Sequence, residues 1–338
     1  MENCSDFLDY LGPDISIKVL TYIDDPSDLV HMTSVSRFWR QFTIENGFCK
    51  KLCIRMFPEV LCFKSVIEER NLKAPIRSSN SVEWEGLERD HRVYARLAQS
   101  LASRRTKRDC IQKAISASST DNYPEESIAH TLEPSNEVKG RPSYWSSEGK
   151  DDPNLPETLT YKLKSKLCVV NEIKIQPFEA FFQYGHPIYS AKAVRFRMGH
   201  SKSPLDMKSP IANDSVDDQK SPDNNYIWTY VSPEFPMVQE NCLQTFKLPQ
   251  PVLCIGGILR IELLGRIQKQ EMDGLYYICV CHVQVIGRPV SGFNVDILDF
   301  LGNYTLRLED KDSGSSGWQS FKARIRQLRT LGVRSFGI

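Results

Sequence analysis

Apolar positions recur with two different periods along the chain. Over the first sixty residues the spacing is helical. Pro13 and Asp14 suit a helix start, and Ile15, Val19, Tyr22 and Ile23 recur on one face. Asp24-Asp25-Pro26 stops that helix and opens the next, with Asp25 placed to cap and Pro26 at the first helical position. Leu29, Met32, Ser36 and Trp39 follow at near-helical spacing, Phe38 and Phe42 line an adjacent stripe, and Asn46-Gly47 supplies a left-handed stop. Phe48, Leu52 and Met56 make a third amphipathic element that ends at Pro58. Three helices this short bury too little apolar surface to be stable alone, which predicts a partner completing their core.

A basic helical stretch is predicted over 84–115, where Arg104-Arg105-Thr106-Lys107-Arg108 reads as a solvated helix end or a nuclear-import patch. Beyond about residue 116 the period falls to two. Leu159, Tyr161 and Leu163 alternate with polar neighbours, Val194, Phe196 and Met198 alternate with Arg195 and Arg197, and Leu259, Ile261 and Leu263 repeat the theme. The longest β-rich run is 275–286. With turns of Pro, Gly and Asn between these segments, the pattern predicts an antiparallel β-sandwich. The fold class is therefore multidomain, α plus all-β. It divides into a three-helix unit at 1–60, a helical connector at 61–115, a sandwich at 116–290, and a tail at 291–338 whose placement the pattern leaves open. An insert at 199–225 is poor in apolar residues and carries Lys-Ser-Pro three times, making Ser203, Ser209 and Ser221 candidates for phosphorylation by proline-directed kinases.

Composition narrows the function classes. A chain of 338 residues, 41% hydrophobic and 25% charged, fits about two globular domains. Its formal charge of +1 supplies no general field for nucleic acid or an anionic membrane, so neither partner is expected. No apolar run reaches the roughly 18 residues that span a bilayer, and no basic-then-apolar leader opens the chain. The ten cysteines are scattered; Cys49 and Cys53 are four apart on a helix, Cys279 and Cys281 alternate along a strand, and neither pair is a CxxC. Buried reduced thiols are predicted, with no metal, no cofactor, and a cytoplasmic or nuclear location. No nucleophile elbow, HExxH, GxGxxG or Walker spacing occurs, and neighbours Cys281 and His282 point to opposite faces of a strand. The chain does not read as an enzyme.

Residues 11–40 resemble the F-box, the helical module that attaches substrate receptors to the Skp-type adaptor of cullin–RING ubiquitin ligases. The resemblance rests on Leu11-Gly12-Pro13-Asp14-Ile15-Ser16, Val19-Leu20-Thr21-Tyr22-Ile23, Pro26-Ser27-Asp28-Leu29-Val30 and Val35-Ser36-Arg37-Phe38-Trp39-Arg40, with Gly12 interrupting the family's Leu-Pro. It implies adaptor contacts through Leu11, Pro13, Ile15, Leu20, Leu29, Val30 and Trp39. The β half resembles the galactose-binding-like jelly roll of discoidin and the Doc-type subunit of the anaphase-promoting complex. That likeness runs through Ala117-Ser118-Ser119-Thr120, Ser127-Ile128-Ala129-His130-Thr131-Leu132, an exposed-Trp segment Ser143-Tyr144-Trp145-Ser146-Ser147-Glu148-Gly149, and Glu157-Thr158-Leu159-Thr160-Tyr161-Lys162-Leu163. Together they look like a plant-type F-box family bearing this C-terminal domain. Such domains bind at loops on one end, which directs attention to Tyr144, Trp145, Trp228, Tyr230, Gln239, Glu240, Asn241, Gln270 and Glu271 as target contacts. The implied function is a non-catalytic substrate receptor presenting a protein target; the alternative is a lectin-like module for a carbohydrate or glycoprotein.

Overall fold

The computed structural model describes residues 7–68, 79–103, 106–133, 135–202, 225–297 and 304–309. Ser203, Ser209 and Ser221, Arg104 and Arg105, and most of the tail lie outside the described residues. The N-terminal helices are α1 (Phe7–Thr21), α2 (Pro26–Met32), α3 (Arg37–Glu45) and α4 (Phe48–Met56). α1 is two segments joined at a kink, where Gly12 has φ 69° and Pro13 starts the second segment. The Asp25 carboxylate accepts the Ser27 N–H at 2.7 Å and so caps α2, with Pro26 at its first position. The stripe from Leu29 to Trp39 is not one helix. Ser36 breaks it and caps α3, its hydroxyl accepting the Trp39 N–H at 3.2 Å.

The predicted connector is not a spacer. Helix α5 covers Ser79–Ala102, and by Ile111 the chain is already a strand, so helix does not reach 115. Val93, Tyr94, Leu97, Ala98 and Leu101 are all buried at i, i+3/i+4 spacing, and α5 packs against α4. Arg288 of the sandwich donates to the carbonyls of Ser100 (2.6 Å) and Leu101, satisfying acceptors that the helix end leaves open.

The sandwich holds two antiparallel sheets. We label the longer strands β1 (Phe63–Glu68), β2 (Ile111–Ala117), β3 (Glu157–Leu163), β4 (Leu167–Glu179), β5 (Ala191–Ser201), β6 (Tyr226–Val231), β7 (Gln244–Ile255), β8 (Ile258–Arg266), β9 (Cys279–Pro289), β10 (Phe293–Ile297) and β11 (Tyr304–Leu308). One sheet runs β6-β5-β8-β3-β2; the other runs β7-β4-β9 and continues to Arg108–Asp109. Between them lie Tyr161, Phe196, Met198, Leu259 and Ile261, the members of the predicted alternation, together with Val170, Ile175, Val283 and Val285 of the facing sheet.

A third sheet, β1-β11-β10, joins the ends of the chain: β1 pairs parallel with β11, and β10 antiparallel with it. The tail left open by the pattern thus contributes two strands against the segment that follows α4. One apolar cluster then runs without a break from Leu20, Leu29 and Leu52 through Leu97, Val66 and Leu306 to Leu167, Val169, Leu253 and Ile255 on the outer face of the sandwich. The helices' own core is completed by the β half of the same chain.

Candidate functional site

Among the described residues, two surfaces gather the exposed candidates. The first is helical. In α1, Ser16 and Leu20 turn inward, while Ile15 (54% exposed) and Val19, with Tyr22 (74%) just past the helix end, form an outward stripe at i, i+4 and i+7. Val35 and Phe38 are exposed as well, beside the cap of α3. The seven residues expected to touch the adaptor therefore separate. Pro13 and Ile15 are exposed, Leu11, Val30 and Trp39 are half-buried, and Leu20 and Leu29 sit in the interior. Leu20 and Leu29 are corrected from contact residues to core residues. Both flanks of α1 are apolar, so periodicity finds the stripes without saying which one the rest of the chain covers. Val19 and Tyr22, which recur with Ile15 on one face, are left outside.

The second surface is the end of the sandwich remote from the helices, where Arg266 ties segment 144–157 to segment 266–277. This side chain is fully buried, ion-paired with Glu157, and donates to Ser147 Oγ (3.0 Å) and to the carbonyls of Glu148 (2.8 Å) and Tyr276 (2.9 Å). Its planar donors span loops that share no strand. Trp145 is fully buried, with its indole N–H on the Ser119 carbonyl at 3.0 Å; it belongs to the core and is not the exposed Trp expected. Tyr144 is half-buried and stacks on Phe178 at 3.9 Å, while its hydroxyl donates to Glu126 at 2.6 Å. Burial and that carboxylate push its phenol up.

Gln239 and Asn241 act as ties. Gln239 Nε2 donates to the Ile188 carbonyl (2.8 Å) and Gln268 Oε1 (3.2 Å), and Asn241 Nδ2 donates to Glu179 at 2.7 Å. Glu240 and Glu271 are exposed nearby, and Gln270 is half-buried in the turn closed by the Gly274 N–H on its carbonyl. Around them stand side chains that the sequence pattern passed over. Phe181, Phe182 and Tyr184 are exposed; the first two meet edge-to-face at 5.6 Å, and both pack against Phe178, at 6.0 and 6.1 Å. Their signal was two adjacent Phe and a Tyr inside turn chemistry, Phe181-Phe182-Gln183-Tyr184-Gly185-His186-Pro187. Aromatic residues there have no strand face to serve. Acidic groups crowd the same end: partial burial and the carboxylates of Glu126, Asp273 and Glu148 push Asp121 up.

Trp228 and Tyr230 do not join this set. Strand β6 pairs Trp228 with Gly199 and Tyr230 with Met198, which puts both toward the opposite end of β5 from Ala191 and Arg266. Trp228 stacks on Tyr226 at 5.3 Å under the guanidinium of Arg260 (4.8 Å), and Tyr230 packs on the sandwich core. Seven of the nine described cysteines are buried, and burial raises Cys49, Cys254, Cys279 and Cys281 to about 12, so they stay protonated thiols. No helix among the described residues is long and apolar enough to cross a membrane.

No family model matches the chain. Among curated proteins it is similar to F-box protein At4g00755 of Arabidopsis thaliana, at 44% identity over 96% of this chain and 90% of that one. Among solved structures, the β half is similar to the family 32 carbohydrate-binding module of Clostridium perfringens NanJ, solved in complex with galactose. That pair shares 14% identity, covers 52% of this chain and 98% of that one, and has a TM-score of 0.31. Discoidin II of Dictyostelium discoideum aligns at 12% identity over 54% of this chain and 57% of that one, with a TM-score of 0.33. Likenesses of this size bring no ligand to the chain.

Proposed function

The chain belongs to the F-box protein family, and on that premise we propose that it is the substrate-recognition subunit of an SCF-type cullin–RING E3 ubiquitin ligase. In this reading the outward stripe of α1 meets a Skp-type adaptor, and the loop end of the sandwich holds a protein target. The chain performs no chemical step itself; it raises the effective concentration of target lysines near a ubiquitin-charged enzyme. Its buried thiols fit work in the cytoplasm or nucleus.

The observation that carries the reading is the composition of α1. Ile15, Val19 and Tyr22 stay exposed although the helices' core is already complete, and three large apolar side chains in one stripe suit a groove or helix on another protein. The test is the full chain carrying Ile15→Asp, Val19→Asp and Tyr22→Asp together. Since these side chains face outward, thermal unfolding should shift by less than about 1 kcal/mol, while adaptor co-purification should be lost. Retention of the adaptor by a folded triple variant sinks the receptor assignment.

A further inference from the structure

Exposed aromatic side chains and unbalanced charge meet at one end of the sandwich. Phe181, Phe182 and Tyr184 form a raised apolar ridge, with Tyr184 97% exposed, and Met272 (92%), Val238 and Tyr123 are exposed on the surrounding loops. The five segments that interlock here are 119–126, 144–157, 178–190, 238–243 and 266–277. They carry 11 acidic side chains against 3 Lys or Arg, a formal −8 in a chain of formal +1. All three cations are already engaged: Lys150 with Glu148 (2.8 Å), Arg266 with Glu157, and Lys269 over the Tyr276 ring (5.6 Å). The crowding of Asp121 by Glu126, Asp273 and Glu148 shows that the carboxylates lie close enough to feel one another.

We propose that this ridge docks a basic protein segment that presents an aromatic or aliphatic side chain among Lys or Arg residues. The identification rests on the reading of the loop end as the target site and adds the chemistry of the target. Charge complementarity decides the occupant. A net −8 with no unengaged Lys or Arg repels acidic chains and steers basic ones, whereas it does nothing for a neutral sugar. The ridge itself is shaped for side chains rather than sugar rings, because Phe181 and Phe182 stand at 81° to each other and offer no single flat platform. An apolar anchor from the partner meets the ridge while its flanking cations meet Asp121, Glu271 and their neighbours.

The test uses the full chain and three sets of fluorescent peptides of roughly twelve residues, each with one Phe and one Leu. The remaining variable positions carry about four Lys/Arg, four Glu, or four Ser, and binding is read by anisotropy at low and high salt. The basic set should bind at least about tenfold more tightly than the acidic set, and added salt should narrow the gap. Phe182→Ala with Tyr184→Ala should weaken it about tenfold or more, and Asp121→Asn with Glu271→Gln should narrow the gap between the basic and acidic sets. These four residues are exposed, and thermal unfolding checks that both variants stay folded. Equal binding of all three sets, still abolished by the aromatic pair, overturns the basic preference and leaves the loop end as a capture site. Binding that ignores the aromatic pair, galactose competing for the ridge, or binding by no set overturns the proposal together with that site.

Discussion

Strand β4 behaves differently at its two ends. At Leu167-Cys168-Val169-Val170 every side chain is buried, because the sandwich core takes one face and the helices with β1, β10 and β11 take the other. Toward Phe178 and Glu179 the strand enters loops held by side-chain hydrogen bonds and capped by half-exposed aromatics. One end is sealed by apolar area and the other by polar geometry. Area tolerates sequence drift so long as volume is kept, whereas geometry depends on a few side chains such as Arg266. Binding surfaces suit the second kind of construction, since loops fixed by hydrogen bonds leave their apolar tips free for another molecule.

The sealed end gives the largest expected effect. Leu253 is fully buried beneath the helices, and Leu253→Asp should cost about 5 kcal/mol or more by burying an unpaired charge. Calorimetry should show the helices and the sandwich losing stability together. A variant in which the sandwich melts as before while the helices alone loosen would break the claim that one core joins them.

At the open end, Arg266→Met should cost about 3 to 4 kcal/mol, because Glu157 is left buried with only the Ser118 hydroxyl for company. Arg266→Met with Glu157→Leu should recover most of that stability in urea unfolding. The double variant should still fail to hold the two loops that the guanidinium joins, seen as fast amide exchange at Glu148 and Tyr276. Protection equal to the parent protein would show that the loops do not depend on the guanidinium.

A matched pair of glycines sharpens the contrast with the smallest changes. Gly256 and Gly274 both have positive φ, +100° and +75°. A Cβ on Gly256, at the sealed end, would lie 2.2 Å from His200 Cβ and 2.8 Å from the Gly199 carbonyl oxygen; on Gly274 the nearest atom is Lys269 Cε at 3.6 Å. Gly274→Ala should cost only the backbone preference, about 1 kcal/mol, and Gly256→Ala at least about 1 kcal/mol more. Equal values from thermal melts would mean that the sealed end is no tighter than the open one.

Much of this was legible in advance. The cap at Asp25 was readable in kind, and period-two segments such as Val194, Phe196 and Met198 led directly to the sandwich core, whereas Ser36, read inside a helical stripe, is the cap that breaks it. Three things were not. The choice between the two apolar flanks of α1 is made by α4, α5 and the β half, so Leu20 is buried while Val19 and Tyr22 stay exposed. The unbroken apolar runs 167–170 and 252–255 carried the news that both faces of those strands are covered, a departure from alternation that marks doubly buried sheet. Trp228 and Tyr230 were grouped with the loops by residue type, and only the β5–β6 register assigns them elsewhere. Hydrogen-bond ties such as Gln239 to Ile188 have no periodic signature at all.

The parallel pairing of β1 with β11 also sets a timetable for biosynthesis. Ser65 and Thr305, whose hydroxyls meet at 2.7 Å, are 240 residues apart. At roughly 5 to 20 residues per second, the edge of β1 waits about 12 to 48 s after its own synthesis before β11 exists to cover it. During that interval a chain still on the ribosome has made the outward stripe of α1 but cannot close its core, so nascent chains and products truncated before residue 304 expose the β1 edge and need chaperone protection.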